Sequence, residues 1–138
     1  MNADELIAAL ALKPLAGEGG LWAQIHRDDS SNSIYFMMIP PDFSAWHRIK
    51  EPELWVHLAG GSIELFTIES GALHRHILDR SNGAFAYRVP ADTWMAARPL
   101  SGWALALCTL TPPFSGMELG DRSELVAQFP DIPELFHI

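Results

Sequence analysis

His47 and Glu53 are two ionisable side chains in an otherwise largely apolar and aromatic run, Pro41 to Gly60, PDFSAWHRIKEPELWVHLAG. On a strand, residues two apart share a face, so His47 and Ile49 project together, and a turn through Lys50-Glu51-Pro52 can return the chain so that Glu53 faces them. An imidazole and a carboxylate on one inner wall can do two kinds of chemistry. They can ligate a divalent metal, which needs donors converging at roughly 2.0 to 2.2 Å, and Ile49 offers none. Without an ion they can hydrogen-bond, each favouring the charged form of the other while burial opposes it, and such a pair could transfer protons. In either case two buried ionisable groups are costly unless they meet each other, a metal, water or a ligand.

The same alternation, counted on from Glu53, puts Trp55 and His57 on the wall of Glu53 and turns Leu54, Val56 and Leu58 the other way. Trp55 is expected beside Glu53 in a cavity, where a flat ring can stack on a ligand. His57 stands about 13 Å from Glu53 at roughly 3.3 Å per residue, too far to share one ion unless a bulge intervenes. It is expected as a polar lining residue or a hydrogen-bonded core histidine. Tyr35 is expected to share the inward face with Met37, where it could supply a hydroxyl or sit as a satisfied core tyrosine. Arg48 and Arg98 could hold an anionic group bidentately or pair at the surface. Glu18, inside Gly17-Glu18-Gly19-Gly20, could close over the mouth of the fold or remain a solvated turn carboxylate. A second His-x-His, His74-Arg75-His76, reads as two exposed histidines on an outer hairpin.

Short apolar segments separated by turn residues must position these side chains, which is the all-β pattern. The expected strands are Leu21 to His26, Ser33 to Ile39, Ala45 to Ile49, Glu53 to Ala59, Ile63 to Ile68, Leu73 to Leu78, Phe85 to Val89, Thr93 to Ala97 and Gly102 to Leu110. Their spacing fits a double-sheet jelly roll. A short helix is expected over Asn2 to Leu12, capped at Asn2 or Asp4. A second begins at Asp121, with Glu124 placed as in a capping box and Pro130 stopping it.

At 138 residues the chain has the length of one domain, 1–138, with a single core. A net charge of -8 with no Lys/Arg cluster makes nucleic acid and anionic membranes poor partners. No apolar run approaches a membrane span and the first residues lack a signal-peptide pattern, so a cytoplasmic location is expected. Cys108 is the one cysteine, which rules out an internal disulfide, and it is expected as a buried, inert thiol.

The spacing Pro41, His47, Ile49, Glu53, Gly60 resembles the first cupin motif, in which glycine, His-x-His, glutamate and glycine stand at those intervals. Pro90-Ala91-Asp92-Thr93-Trp94-Met95 resembles the second, and it puts Met95 where the last metal-binding histidine would be. A thioether suits soft ions such as Cu(I) and does little for Zn, Mn or Fe(II) in an oxygen and nitrogen site. The resemblance widens through Glu18-Gly19-Gly20, Ser33-Ile34-Tyr35-Phe36, Phe43-Ser44, Trp46-His47-Arg48, Glu53-Leu54-Trp55, Val89-Pro90-Ala91, Thr93-Trp94, Ala96-Ala97-Arg98-Pro99, Cys108-Thr109 and Glu118-Leu119. Over nearly the whole chain it is similar to the cupin family called domain of unknown function 985. That resemblance implies an RmlC-like double-stranded β-helix with short terminal helices, and a homodimer. Members of that family usually carry a histidine directly after the Trp of Glu-x-Trp; here that position is Val56 and the histidine is His57.

Three functional readings follow from the residues and the resemblance. The first is a small-molecule-binding cupin with a degenerate metal site and no cofactor, recognising a sugar-like or other polar metabolite through Trp55, His47 and Glu53, with His57, Met95, Glu18 and Arg48 as further ligand contacts. The second is a metal-independent isomerase or epimerase similar to RmlC-type sugar epimerases, with His47 as base, Glu53 orienting it and Tyr35 as acid. The third is a metal-dependent oxygenase or isomerase in which a divalent transition metal is held by His47 and Glu53, with water or Met95 filling the shell.

Overall fold

Two antiparallel sheets enclose the barrel, and the order of their strands decides which residues meet inside it. The computed structural model describes residues 1–137, so Ile138, the last residue of the expected 1–138 domain, lies outside the described residues. Helix α1 (Ala3–Leu10) opens the chain and is followed by β1 (Lys13–Pro14), β2 (Leu21–Arg27), β3 (Asn32–Met38), β4 (Ser44–Ile49), β5 (Glu53–Gly60) and β6 (Ile63–Glu69). Next come β7 (Ala72–Leu78), a 3-10 turn (Arg80–Asn82), β8 (Ala86–Val89), β9 (Thr93–Pro99), β10 (Ala104–Leu110), β11 (Met117–Leu119) and α2 (Arg122–Gln128). One sheet runs β1-β2-β3-β10-β5-β8 and the other β11-β4-β9-β6-β7.

The interior is filled by residues that alternate along each strand. Phe36 and Met38 from β3, Ile49 from β4, Trp55 from β5, Ile63 and Leu65 from β6, and Met95 and Ala97 from β9 meet in one cluster. Several strands are apolar on both faces because each sheet is also covered from outside. Helix α1 lays Leu6, Ile7 and Leu10 over Met37 and Leu105, while Leu125 of α2 and the following Ile132 and Leu135 cover Trp46, Phe66 and Ala96. That double burial explains why the run from Ile63 to Ile68 reads as continuously buried instead of alternating.

The first helix start forms a full capping box, and the second forms only the Asp121 half of the one expected there. Asn2 accepts from the Glu5 N–H while Glu5 accepts from the Asn2 N–H, and Asp121 accepts from the Glu124 N–H at 3.0 Å. The nine expected strands are present with ends moved by at most two residues. Two short ones were not expected. β1 is a two-residue exposed piece containing Pro14, and β11 pairs the edge of β4 through Met117, Glu118 and Leu119. Neither carries enough alternation to be read as a strand. The loop before β11 brings Phe114 into the wall of a cavity. No helix among the described residues is long and apolar enough to cross a membrane.

Candidate functional site

Glu18 reaches the interior because its loop is pinned on both sides. The Ala45 N–H donates to the Glu18 carbonyl at 2.8 Å, and the Gly20 N–H donates to Asp42 Oδ2 at 2.8 Å. Between them Gly19 adopts φ +95°, and a Cβ there would run into the Phe43 carbonyl, so the loop lies too close to β4 for any other residue. Glu18 is thereby buried, with 7% of the residue's surface exposed. The Ser44 hydroxyl donates to Glu18 Oε2 at 2.7 Å, and Glu18 Oε1 lies 3.6 Å from His47 Nε2.

His47 is oriented by its own strand. Its Nδ1 stands 2.7 Å from the Ala45 carbonyl, which can only accept, so Nδ1 carries a proton and Nε2 is the nitrogen turned towards Glu18. Glu53, at the first position of β5, is 5% exposed and accepts from Trp55 Nε1 at 2.9 Å through Oε1. Burial pushes its carboxyl up to about 7; His47 pulls against that shift, Glu18 adds to it, and the Trp55 N–H lowers it again.

Glu18 and Glu53 both line a cavity of about 270 Å³ at the open end of the barrel. Trp22, Ile34, Ile49, Leu110, Phe114 and Met117 make most of its wall. Among the described residues no enclosed side-chain nitrogen or oxygen lacks a hydrogen-bond partner. Glu18 Oε1 and Glu53 Oε2 make no hydrogen bond, so both open onto this cavity. Polar residues at the rim hold the covering loop: Arg27 donates to the Phe114 carbonyl at 3.0 Å and Asn32 accepts from the Phe114 N–H at 2.6 Å.

His47, Glu53 and Glu18 therefore gather as the sequence suggested, with one change of partner. The carboxylate beside His47 is that of Glu18, and Glu53 is hydrogen-bonded to Trp55. Trp55 lies inside, but its ring packs edge-on against Phe36 with centroids 5.8 Å apart and forms no part of the cavity wall, so it positions Glu53 and does not stack on a ligand. Met95 is fully buried opposite His47 and Thr67 in the sheet, again behind the wall. His57 is the hydrogen-bonded core histidine of the two expectations: Nε2 donates to the Gly61 carbonyl at 2.9 Å, and Nδ1 accepts from the Arg80 N–H at 3.0 Å.

Two expected contacts are corrected. Tyr35 does share a face with Met37, but that face is the outer one under α1; the inner residues of β3 are Ile34 and Phe36, so the phenol cannot reach the cavity. Arg48 lies between the inward His47 and Ile49 and so points outward, where it pairs with Glu118 at 2.9 Å and stacks over Trp94. Arg98 likewise pairs outside, with Glu64. The second His-x-His is only half exposed. His74 faces solvent, while His76 stacks on Tyr87 at 3.6 Å between centroids and contacts the Thr67 hydroxyl at 2.9 Å.

Trp22, Ser44 and Phe114 were not among the expected site residues. Trp22 could have been found from alternation along β2, since Trp22 and Gln24 both line the cavity. Nothing local marks Phe114, which a loop brings over the mouth.

The donor set does not fit a divalent transition metal. Among the described residues no three His, Cys, Asp or Glu side chains are grouped to hold an ion, and Ile49 and Met95 put a hydrocarbon and a buried thioether at the positions the motifs would need.

Residues 4–119 match the family described as Cupin superfamily (DUF985). The fold is similar to that of a structurally determined protein of Shewanella oneidensis, at 27% identity and TM-score 0.85 over 94% of this chain and 91% of that one. A hypothetical protein from Leishmania major is similar at 20% identity and TM-score 0.84, over 99% and 97% of the two chains. An RmlC-like cupin with a double-stranded β-helix fold from Methanocaldococcus jannaschii matches at 9% identity and TM-score 0.55, over 73% and 88%. No curated protein sequence matches the chain.

Proposed function

We propose that this chain, which belongs to the DUF985 family of the cupin superfamily, is a small-molecule-binding protein that takes its ligand in the barrel mouth at Glu18 and Glu53, without a metal. The observation that carries the reading is a pair of carboxylates, each more than nine-tenths buried and each with one oxygen open to a mostly apolar cavity. Carboxylates held in that way cost stability unless something arrives to satisfy them, and a ligand is what the geometry leaves room for. A sugar-like ligand fits poorly, because its ring hydroxyls would lie unpartnered against Ile34, Leu110 and Phe114. A metabolite with one polar head and an apolar remainder fits both ends of the cavity.

A fragment screen read by methyl NMR tests this. Binders should move the methyl signals of Ile34, Ile49 and Leu110; binders that instead gather in the outer cleft beside Arg48 and Glu118 would contradict it.

A second reading, proton-transfer catalysis, is favoured by the Glu53 carboxyl raised to about 7, which suits a general acid or base near neutral pH. In this reading Glu53 exchanges the proton, and His47, held by the Ala45 carbonyl, sets the field around it. Epimerase or isomerase chemistry rests on analogy of fold alone. With a ligand in hand, Glu53→Gln should lower kcat at saturating ligand to background if the protein is an enzyme, a loss that weakened binding does not produce.

A further inference from the structure

We propose that the ligand of the mouth cavity is a small organic amine, whose ammonium group sits between Glu18 and Glu53 and whose apolar body lies along Ile34, Leu110 and Phe114. This rests on the reading of the cavity as a binding site and adds the chemical class. The argument is a contrast among the buried acids of one molecule. Glu64, with 3% of its surface exposed, is neutralised by two arginines, Arg75 and Arg98. Glu51, 7% exposed, is satisfied by the backbone N–H and hydroxyl of Ser115 at 3.1 and 2.7 Å. Glu18 and Glu53 are as deeply buried, yet no arginine or lysine reaches either of them. Among the described residues the one basic side chain beside them is His47, one imidazole for two carboxylates.

The oxygens left over define what can bind. Glu18 Oε1 and Glu53 Oε2 are acceptors, each with its sister oxygen already taken by Ser44 or Trp55. His47 Nε2, 3.6 Å from Glu18 Oε1, is beyond hydrogen-bond length of it and leaves that oxygen free. A carboxylate or phosphate head would meet two like charges here. A neutral hydroxyl has one proton to give, whereas an ammonium has three and brings the missing charge. The overall charge of -8 favours the approach of a cation as well. Arg27, the cation lining the rim, donates to the Phe114 carbonyl and pairs with neither Glu18 nor Glu53.

The test compares three isosteric probes, benzylamine, benzyl alcohol and benzoate, by titration calorimetry and methyl NMR on the intact protein at pH 8. Benzylamine should bind at least about tenfold more tightly than benzyl alcohol, the difference expected when a neutral hydrogen bond becomes charge-assisted, and benzoate should not bind. Glu53→Gln should weaken benzylamine by about tenfold or more and change benzyl alcohol by less than about threefold. Benzyl alcohol or benzoate binding in the cavity as tightly as the amine would overturn the amine assignment and leave the binding site standing. If none of the three moves the Ile34, Ile49 and Leu110 methyls, both the assignment and the site are overturned.

Discussion

Two polar groups sit inside this barrel on either side of an apolar plug, and they are built on opposite terms. At the mouth, Glu18 and Glu53 face a cavity with oxygens to spare, and His47 stands behind Glu18. Beneath the β6–β7 hairpin, Glu69 Oε2 accepts from both the Tyr87 and Thr67 hydroxyls at 2.6 Å, and His76 closes the group by stacking on Tyr87. Trp55, Val89 and Met95, all buried, lie between them. Of the second His-x-His, only His76 belongs to the group whose hydrogen bonds are made within the protein. The group with open oxygens is the one whose motif carries Ile49 and Met95.

Removing the plug should have the largest effect. Trp55→Ala takes away a buried indole packed on Phe36 and the N–H donor to Glu53, and should cost about 3–5 kcal/mol in urea unfolding. Trp55→Phe keeps a ring against Phe36 and removes only the donor, so it should cost about 1–2 kcal/mol and lift the Glu53 carboxyl further. Equal losses for the two variants would mean that the indole only fills space.

Glu53 should impose a pH dependence that runs against the usual carboxylate behaviour. Its folded carboxyl lies at about 7 against an ordinary 4.5, so between those values the folded state holds a proton that the unfolded chain has released. Stability from this group therefore falls as pH rises from about 4.5 to about 7, by up to roughly 3 kcal/mol, and is flat above. Glu53→Gln should remove that slope and stabilise the protein at pH 8. An unchanged slope in this variant would place the proton elsewhere.

The hairpin group should give the opposite sign. Burial lowers the His76 pKa below its ordinary 6.5, with His74 acting in the same direction and Glu69 against it. The unfolded state then binds more protons just below pH 6.5, and stability is lost as pH falls through that region. In Glu53→Gln, where the mouth no longer titrates, this acid-side loss should stand alone, and His76→Gln should flatten it. Smallest of all, Tyr87→Phe removes a half-buried hydroxyl and should cost about 1 kcal/mol or less, with no change in ligand binding. Altered binding in Tyr87→Phe would join the two groups into one site.

Much of this arrangement was legible in the chain. Alternation from Glu53 placed Trp55 and His57 correctly inside, and turn residues delimited nine strands, because both signals are local. Tyr35 went wrong for a physical reason: with α1 covering the outer face, both faces of β3 are apolar, and alternation no longer says which is inner. Glu18 was readable only as a possibility, since its entry depends on where the loop at Gly19 meets the Phe43 carbonyl, a contact between residues far apart in sequence. The same holds for Phe114 at the rim. Family resemblance supplied the barrel and the place of the lost ligands; the change of partner from Glu53 to Glu18 beside His47 needed coordinates.

A side-chain carbon-13 NMR titration of Glu53 is the most direct test of the central claim, that the mouth keeps a buried carboxyl without a cation of its own. The carboxyl signal should titrate with a midpoint near 7 in the free protein. A midpoint at the ordinary value of 4.5 would show the group to be solvated or already neutralised, and would contradict the account.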